Sequence, residues 1–295
     1  MKLSSTRKAL LPFLALFSVA CVGQTTLPTF EGPYLGQKTP SSTPTPFGAG
    51  VVSTDGYEYG GVFTLDMSEF YYIKAEKGTR RQNFIVYREK EGKWYGEVMS
   101  KRLGQPAISP DGNTMHLGRR YLERNDQGWS EPKNLDLPFT DISIMRLTSS
   151  SSGTYFFDTW DESNKEFPIR YSRIIDGKYQ EPQNLSKEIN TGAQLNHPYI
   201  APDESYLIWD AIREDGFGDS DLYISYRQKD GSWGEAINLG EKINTKAWDA
   251  AGYVTPDGEY FFFNRMINSG VNNELPNVDI FWVKADFIEK LRPKP

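Results

Sequence analysis

A short turn phrase recurs along this chain, and its spacing limits the possible folds more than any other feature. Ala107-Ile108-Ser109-Pro110-Asp111-Gly112 returns as Tyr199-Ile200-Ala201-Pro202-Asp203-Glu204 and as Tyr253-Val254-Thr255-Pro256-Asp257-Gly258. Looser copies end at Asp66 and at Ser152-Gly153, where Ser152 stands in the Asp position. The turn residues fall at 66, 111, 152, 203 and 257, at intervals of 45, 41, 51 and 54 residues. That period is the length of one four-stranded propeller blade with its loops.

Each unit repeats one internal order. An aromatic strand follows the turn, as in Thr154-Tyr155-Phe156-Phe157 and Tyr260-Phe261-Phe262-Phe263, and a third strand follows it, as in Asp221-Leu222-Tyr223-Ile224. A Gly turn then leads to an aromatic residue (Trp94, Trp129, Tyr179, Trp233), which reads as blade packing. Three units end in an Asn-Leu pair: Asn134-Leu135, Asn184-Leu185 and Asn238-Leu239. With 17 Tyr, 17 Phe and 7 Trp beside 26 Gly and 18 Pro, the composition suits short strands and frequent reversals.

From about residue 42 to 290 this pattern resembles the TolB-like, tryptophan-aspartate-repeat-like propeller family. Ser109-Pro110-Asp111-Gly112, Asp221-Leu222-Tyr223-Ile224-Ser225 and Asn238-Leu239-Gly240 carry the resemblance best. The expectation is an all-β, five-bladed β-propeller over residues 42–295. The last unit lacks an Asn-Leu tail. The missing strand is expected at the other end of the sheet domain, because Thr54 precedes Asp66 by the same 12 residues that separate Thr191 from Asp203 and Thr245 from Asp257. The segment Phe47–Val52 should therefore complete the last blade and close the ring, leaving no open edge.

Residues 1–20 read as an export signal, with a basic start (Lys2, Arg7, Lys8) before an apolar run too short to span a bilayer. The lone cysteine, Cys21, follows Ser18-Val19-Ala20 and resembles the lipidated residue of a bacterial lipoprotein. The expected location is the periplasm or the outer membrane, with the membrane touched only through that lipid. Residues 21–41, rich in Pro, Ser and Thr toward their end, read as a flexible tether. The formal charge is −6, and loss of the three N-terminal cations would take it to −9. So acidic a body repels phosphate backbones, which argues against a nucleic-acid partner.

Candidate site residues come from the strands that should line the channel. Counting back from the turns gives Glu58, Gln105, Arg146, His197 and Asp249 as the polar members. Carboxylates, Arg and His could converge for acid–base chemistry on a sugar. The plainer reading, and the preferred one, is that they hydrogen-bond neighbouring blades. His116, the other histidine, is read as structural. Asp215, Asp219 and Asp221 sit in a Gly/Asp-rich loop of calcium-binding type, but without EF-hand spacing, and such loops are common in these repeats without metal. The turn residues Asp66, Asp111, Asp203 and Asp257 should cap their own turns. No nucleophile elbow, phosphate loop or dinucleotide fingerprint is present. The functional expectation is a non-enzymatic module that binds an envelope protein or glycan at the channel mouth, with no cofactor. The rival is a polysaccharide lyase or glycosidase using Glu58, Arg146, His197 and Asp249.

Overall fold

The computed structural model describes residues 27–160, 167–270 and 274–294. The expected signal sequence and Cys21 lie outside them. The described chain is all-β apart from a short C-terminal helix, Phe287–Leu291, and a turn over Pro33–Gly36. Among the described residues no helix is long and apolar enough to cross a membrane.

Each repeat unit folds into an antiparallel sheet, and the aromatic strand after the turn is central in it. The first unit comprises Tyr57–Phe63, Glu69–Ala75, Asn83–Lys90 and Lys93–Lys101, paired in chain order. In the fourth, Ala193–Ile200, Tyr206–Ile212, Asp221–Tyr226 and Ile237–Asn238 pair in the same way. The Asn-Leu tails form the outer edge: Asn184 pairs with Arg170, Asn238 with Tyr223, and Asn134 with Arg120. The leucine that follows donates its N–H to the start of the third strand, Leu185 to Ile169 and Leu239 to Leu222. Each turn aspartate caps its own turn. Asp66 accepts from Thr64 and Ser68, Asp111 from Ser109 and Asn113, and Asp257 from Thr255 and the Glu259 N–H. Short side chains with an oxygen two residues from the N–H they bind are what such turns select.

Ser152 has no carboxylate, but its hydroxyl still bonds Ser150 Oγ at 2.8 Å and Thr154 Oγ1 at 2.9 Å. The carboxylate at this turn comes from Glu204 of the next unit, whose Oε1 accepts from both Ser150 and Ser152 at 2.8 Å. Glu204 sits at φ 59°, where three other copies carry glycine, so its carboxylate reaches across the units from a left-handed backbone position.

The last unit, Asp249–Val254, Tyr260–Asn268 and Asn277–Lys284, takes its outer strand from the other end of the described chain. Thr45–Pro46 pairs antiparallel with Phe281 and Trp282. This pairing lies just before the expected segment, because 48–53 turns instead of running on as a strand. Phe47 donates its N–H to Ile280 at 2.7 Å, the same bond that Leu239 makes to Leu222. Ser53 Oγ donates to that same carbonyl, as Asn244 donates to Leu222 and Asn190 to Ile169. Phe47 is fully buried among Phe63, Phe70, Phe262 and Trp282, ring centroids 5.0–6.2 Å away. The first and last units also share one parallel bridge, Val278 to Tyr57. First strands of successive units touch one another in order, from Tyr57–Phe63 through Pro106–Ile108, Leu147–Ser149 and Ala193–Ile200 to Asp249–Val254.

The segment read as a tether is packed where it is described. Phe30–Glu31 pairs with Lys93 and Trp94, Trp94 Nε1 donates to Gly32 O, and Leu35 is fully buried. Tyr34 rests its ring on Phe63, Tyr260 and Trp282, and its hydroxyl reaches Asp257. Its aromatic residues, Phe30 and Tyr34, supply apolar area that the Pro and Thr content obscures.

Candidate functional site

The first strand of each unit lies innermost, and three of these strands share a bulge. Gly60, His197 and Ala251 occupy equivalent places at φ 68°, 51° and 55°, and each coincides with a register shift against the second strand. A bulge turns the N–H of its residue out of the ladder, so a buried acceptor must meet it. That acceptor comes from the second strand of the preceding unit. Asp158 takes the His197 N–H at 3.0 Å, Asp210 takes that of Ala251 at 2.9 Å, and Asn264 of the last unit takes that of Gly60 at 3.1 Å. These three residues were missed by a reading confined to the first strands. Their signal was present: Asp210 and Asn264 each stand seven residues after a turn aspartate, and Asp158 six after Ser152.

The five expected site residues are all buried, and the structure does not gather them into one pocket. Glu58 and Asp249 begin their strands and cap the preceding loops. Glu58 accepts the N–H and hydroxyl of Thr54, with Lys74 Nζ 3.9 Å away; Asp249 accepts the same two groups of Thr245 and the Arg265 Nε at 2.6 Å. The fourth unit keeps Thr191 but has Leu195 and Ala211 in place of the charged pair, so the pair is an exchangeable packing element. Burial lifts the Glu58 carboxyl to about 7 against the pull of Thr54 and Lys74, and burial also raises Asp249 despite Arg265. Asp279, near Glu58, is raised to about 6 by burial alone.

Gln105, Arg146 and His197 lie nearer the middle. Gln105 Oε1 accepts from the Tyr59 hydroxyl at 3.4 Å. His197 Nδ1 meets Asp210 Oδ1 at 2.8 Å, and its ring stands edge-on to Tyr59 and Trp248. Asp158 and Asp210 thus flank His197, but the described bonds commit them. Asp158 accepts the N–H groups of Met145, Arg146 and His197, while Asp210 holds the Ala251 N–H and the imidazole. Arg146 donates to Gly252 O at 3.2 Å, and burial pulls its guanidinium below the usual range. His116 is buried with Nδ1 unpartnered, edge-on to Tyr155, which fits the structural reading.

Of the five, Arg146 lines a cavity. At the turn end of the innermost strands lies a space of about 270 Å³ to which every unit contributes, including Phe63, Ile108, Arg146, Tyr199 and Tyr253. The rim is apolar, with Leu65 and three turn prolines, Pro110, Pro202 and Pro256. Thr148 and Ser149 add hydroxyls beside Arg146. Two buried polar atoms here have no partner, Arg146 Nε and Ser149 Oγ.

The acidic loop does not assemble as a set of metal ligands. Asp221 Oδ2 accepts from the Phe217 N–H and from Asn238, and Asp215 Oδ1 accepts from the Tyr223 hydroxyl. Among the described residues no group of three or more His, Cys, Asp and Glu side chains is placed to hold a metal ion.

No family model matches the sequence, and comparison with curated proteins finds no match. Solved structures similar to this chain include TolB from Acinetobacter baumannii, at 14% identity and TM-score 0.46 over 77% of this chain; the match spans 54% of that protein's chain. The catalytic domain of an α-L-arabinofuranosidase from Coprinopsis cinerea is 11% identical, with TM-score 0.44 over 87% of this chain and 96% of that one. An oligogalacturonate lyase solved with manganese is 15% identical, with TM-score 0.42 over 79% and 67% of the two chains. Likeness at this level carries no inference about what this chain binds or does.

Proposed function

We propose that the chain is an exported, envelope-anchored five-bladed propeller that serves as a non-enzymatic binding module for an envelope protein or glycan. The ring reading draws support from Asn264, which ties the last unit to the first, and from Phe47, which takes the outer position in the last sheet. Export and lipidation at Cys21 rest on the sequence of the first 21 residues. The observation that carries the binding reading is how the polar residues are used. Glu58, Asp249, His197 and the carboxylates beside it are bonded to loops and neighbouring strands, whereas the cavity at the turn end is open, largely apolar and built by all the units. Concave apolar sites with a few convergent polar groups are where ligands bind.

A glycan-active enzyme is favoured by one observation: Glu58 at about 7 has the proton affinity of a general acid. Its side chain is wholly buried and engaged with Thr54, however, so no sugar oxygen can reach it without unpacking the loop.

The test pairs two measurements on the mature protein. Envelope extracts and a polysaccharide panel are screened for binding with wild type and with Ile108→Asp, which charges the cavity rim. The same panel is assayed for reducing ends and unsaturated products, with Glu58→Gln and His197→Ala as controls. Binding that the rim variant loses, without turnover, supports the module; turnover that Glu58→Gln abolishes overturns it.

A further inference from the structure

The interior of the turn-end cavity has a chemistry of its own. Arg146 is 2% exposed, and among the described residues no carboxylate forms an ion pair with it. Asp158 and Asp210 influence it through space, but their oxygens are occupied by the N–H groups and the imidazole described above. A buried cation without a contacting anion is unfavourable, and an anion entering beside it would relieve that cost. Arg146 and Ser149 both line the cavity, and each has one polar atom, Nε and Oγ, that is buried just behind its surface without a partner. A planar carboxylate accepts from a guanidinium edge and from a hydroxyl together, which a hydroxylated sugar ring does less well.

The remaining lining selects the rest of the ligand. Phe63, Leu65, Ile108, Tyr199, Tyr253 and Val254 present apolar surface between Arg146 and solvent. The tyrosine hydroxyls point back into the fold, Tyr253 to the Phe63 backbone and Tyr199 to Val254 O. A volume of about 270 Å³ is at the low end for small-molecule sites, so it holds a single compact group.

We infer that this cavity is a receptor for a small monocarboxylic acid with an apolar or aromatic body, its carboxylate seated on Arg146 and Ser149 and its body against the apolar wall. The inference rests on the reading of this cavity as a binding site and adds a small-molecule ligand to the protein or glycan partner proposed above.

Calorimetric titration of the full mature protein with 3-phenylpropionate, 3-phenylpropionamide, acetate and digalacturonate tests it. The acid should bind at least tenfold more tightly than the amide and than acetate. Arg146→Gln should bring acid and amide to within about twofold of each other. Should Arg146→Gln fail to fold by circular dichroism, Ser149→Val and Ile108→Asp replace it. Ser149→Val removes one carboxylate donor, and Ile108→Asp sets a negative charge at the rim; each should weaken the acid several-fold more than the amide. Equal affinity for acid and amide in wild type overturns the anion site. Digalacturonate binding more tightly than phenylpropionate overturns the apolar body. No binding of any probe at millimolar concentration overturns the inference as a whole. If Ile108→Asp nonetheless loses an envelope protein or glycan that wild type captures, the binding reading survives while this ligand class falls.

Discussion

Replacing Glu58 with glutamine should stabilise the protein at pH 8 and do little at pH 4. Desolvation by burial raises the carboxyl to about 7 from its ordinary 4.5, so the fold binds this proton more tightly than the unfolded chain does. The sign follows directly: the group's contribution is fully favourable below pH 4.5 and is lost as pH rises through 7. The span between those values corresponds to about 3 kcal/mol at alkaline pH, taking about 1.4 kcal/mol per tenfold change in proton affinity. Glu58 is fully buried, so solvent screening does not reduce this much. Glutamine keeps an acceptor for the Thr54 N–H and removes the charge; the pair it gives up, with Lys74 at 3.9 Å, is long. Urea denaturation at pH 4, 6 and 8 measures the difference. The stability of wild type relative to the variant should fall across that range, because the contributions of Asp279, Asp249, Asp158 and His116 are common to both proteins and cancel in the comparison. A variant with the wild-type slope, or one less stable than wild type at pH 8, would refute the reasoning.

Three further outcomes follow from the same geometry. His116, lowered to about 4 by burial, must shed its proton to stay folded, so its contribution is lost as pH falls from 6.5 towards 4; His116→Phe should flatten that acid limb by up to about 3 kcal/mol in denaturant titrations. Phe47→Ala should cost about 3–5 kcal/mol, since it empties a fully buried aromatic site between the first and last units, and the loss should appear as a lower urea midpoint. Asp210→Ala leaves the Ala251 N–H and His197 Nδ1 without their acceptor and should cost about 2–5 kcal/mol by thermal or urea melts. Asp210→Asn should be much milder, because Asn264 already does the equivalent work at the next unit boundary; equal losses in the two variants would sink the acceptor argument.

What the sequence settled by itself was everything carried by local chemistry. The turn phrase, its aspartate caps, the aromatic second strand and the Asn-Leu edge involve partners a few residues apart or on adjacent strands, so their spacing shows in one dimension. The region that flanks the last sheet could be read, because Val52-Ser53 lines up with Ile189-Asn190 and Ile243-Asn244; the strand itself was misplaced, since Thr45–Pro46 makes the pairing and the expected segment from 48 turns. The tertiary structure decided the roles of the polar residues. His197 and Ala251 adopt left-handed backbone angles with no glycine to announce them, and the acceptors of their N–H groups lie 39 and 41 residues away in the preceding unit. Whether Glu58 is a catalytic acid or a buried loop cap depends on its solvent access, and whether Arg146 is paired depends on which carboxylates the backbone has already claimed. Solvent access and competition for acceptors arise only when the units pack face to face, so no spacing rule along the chain can encode them.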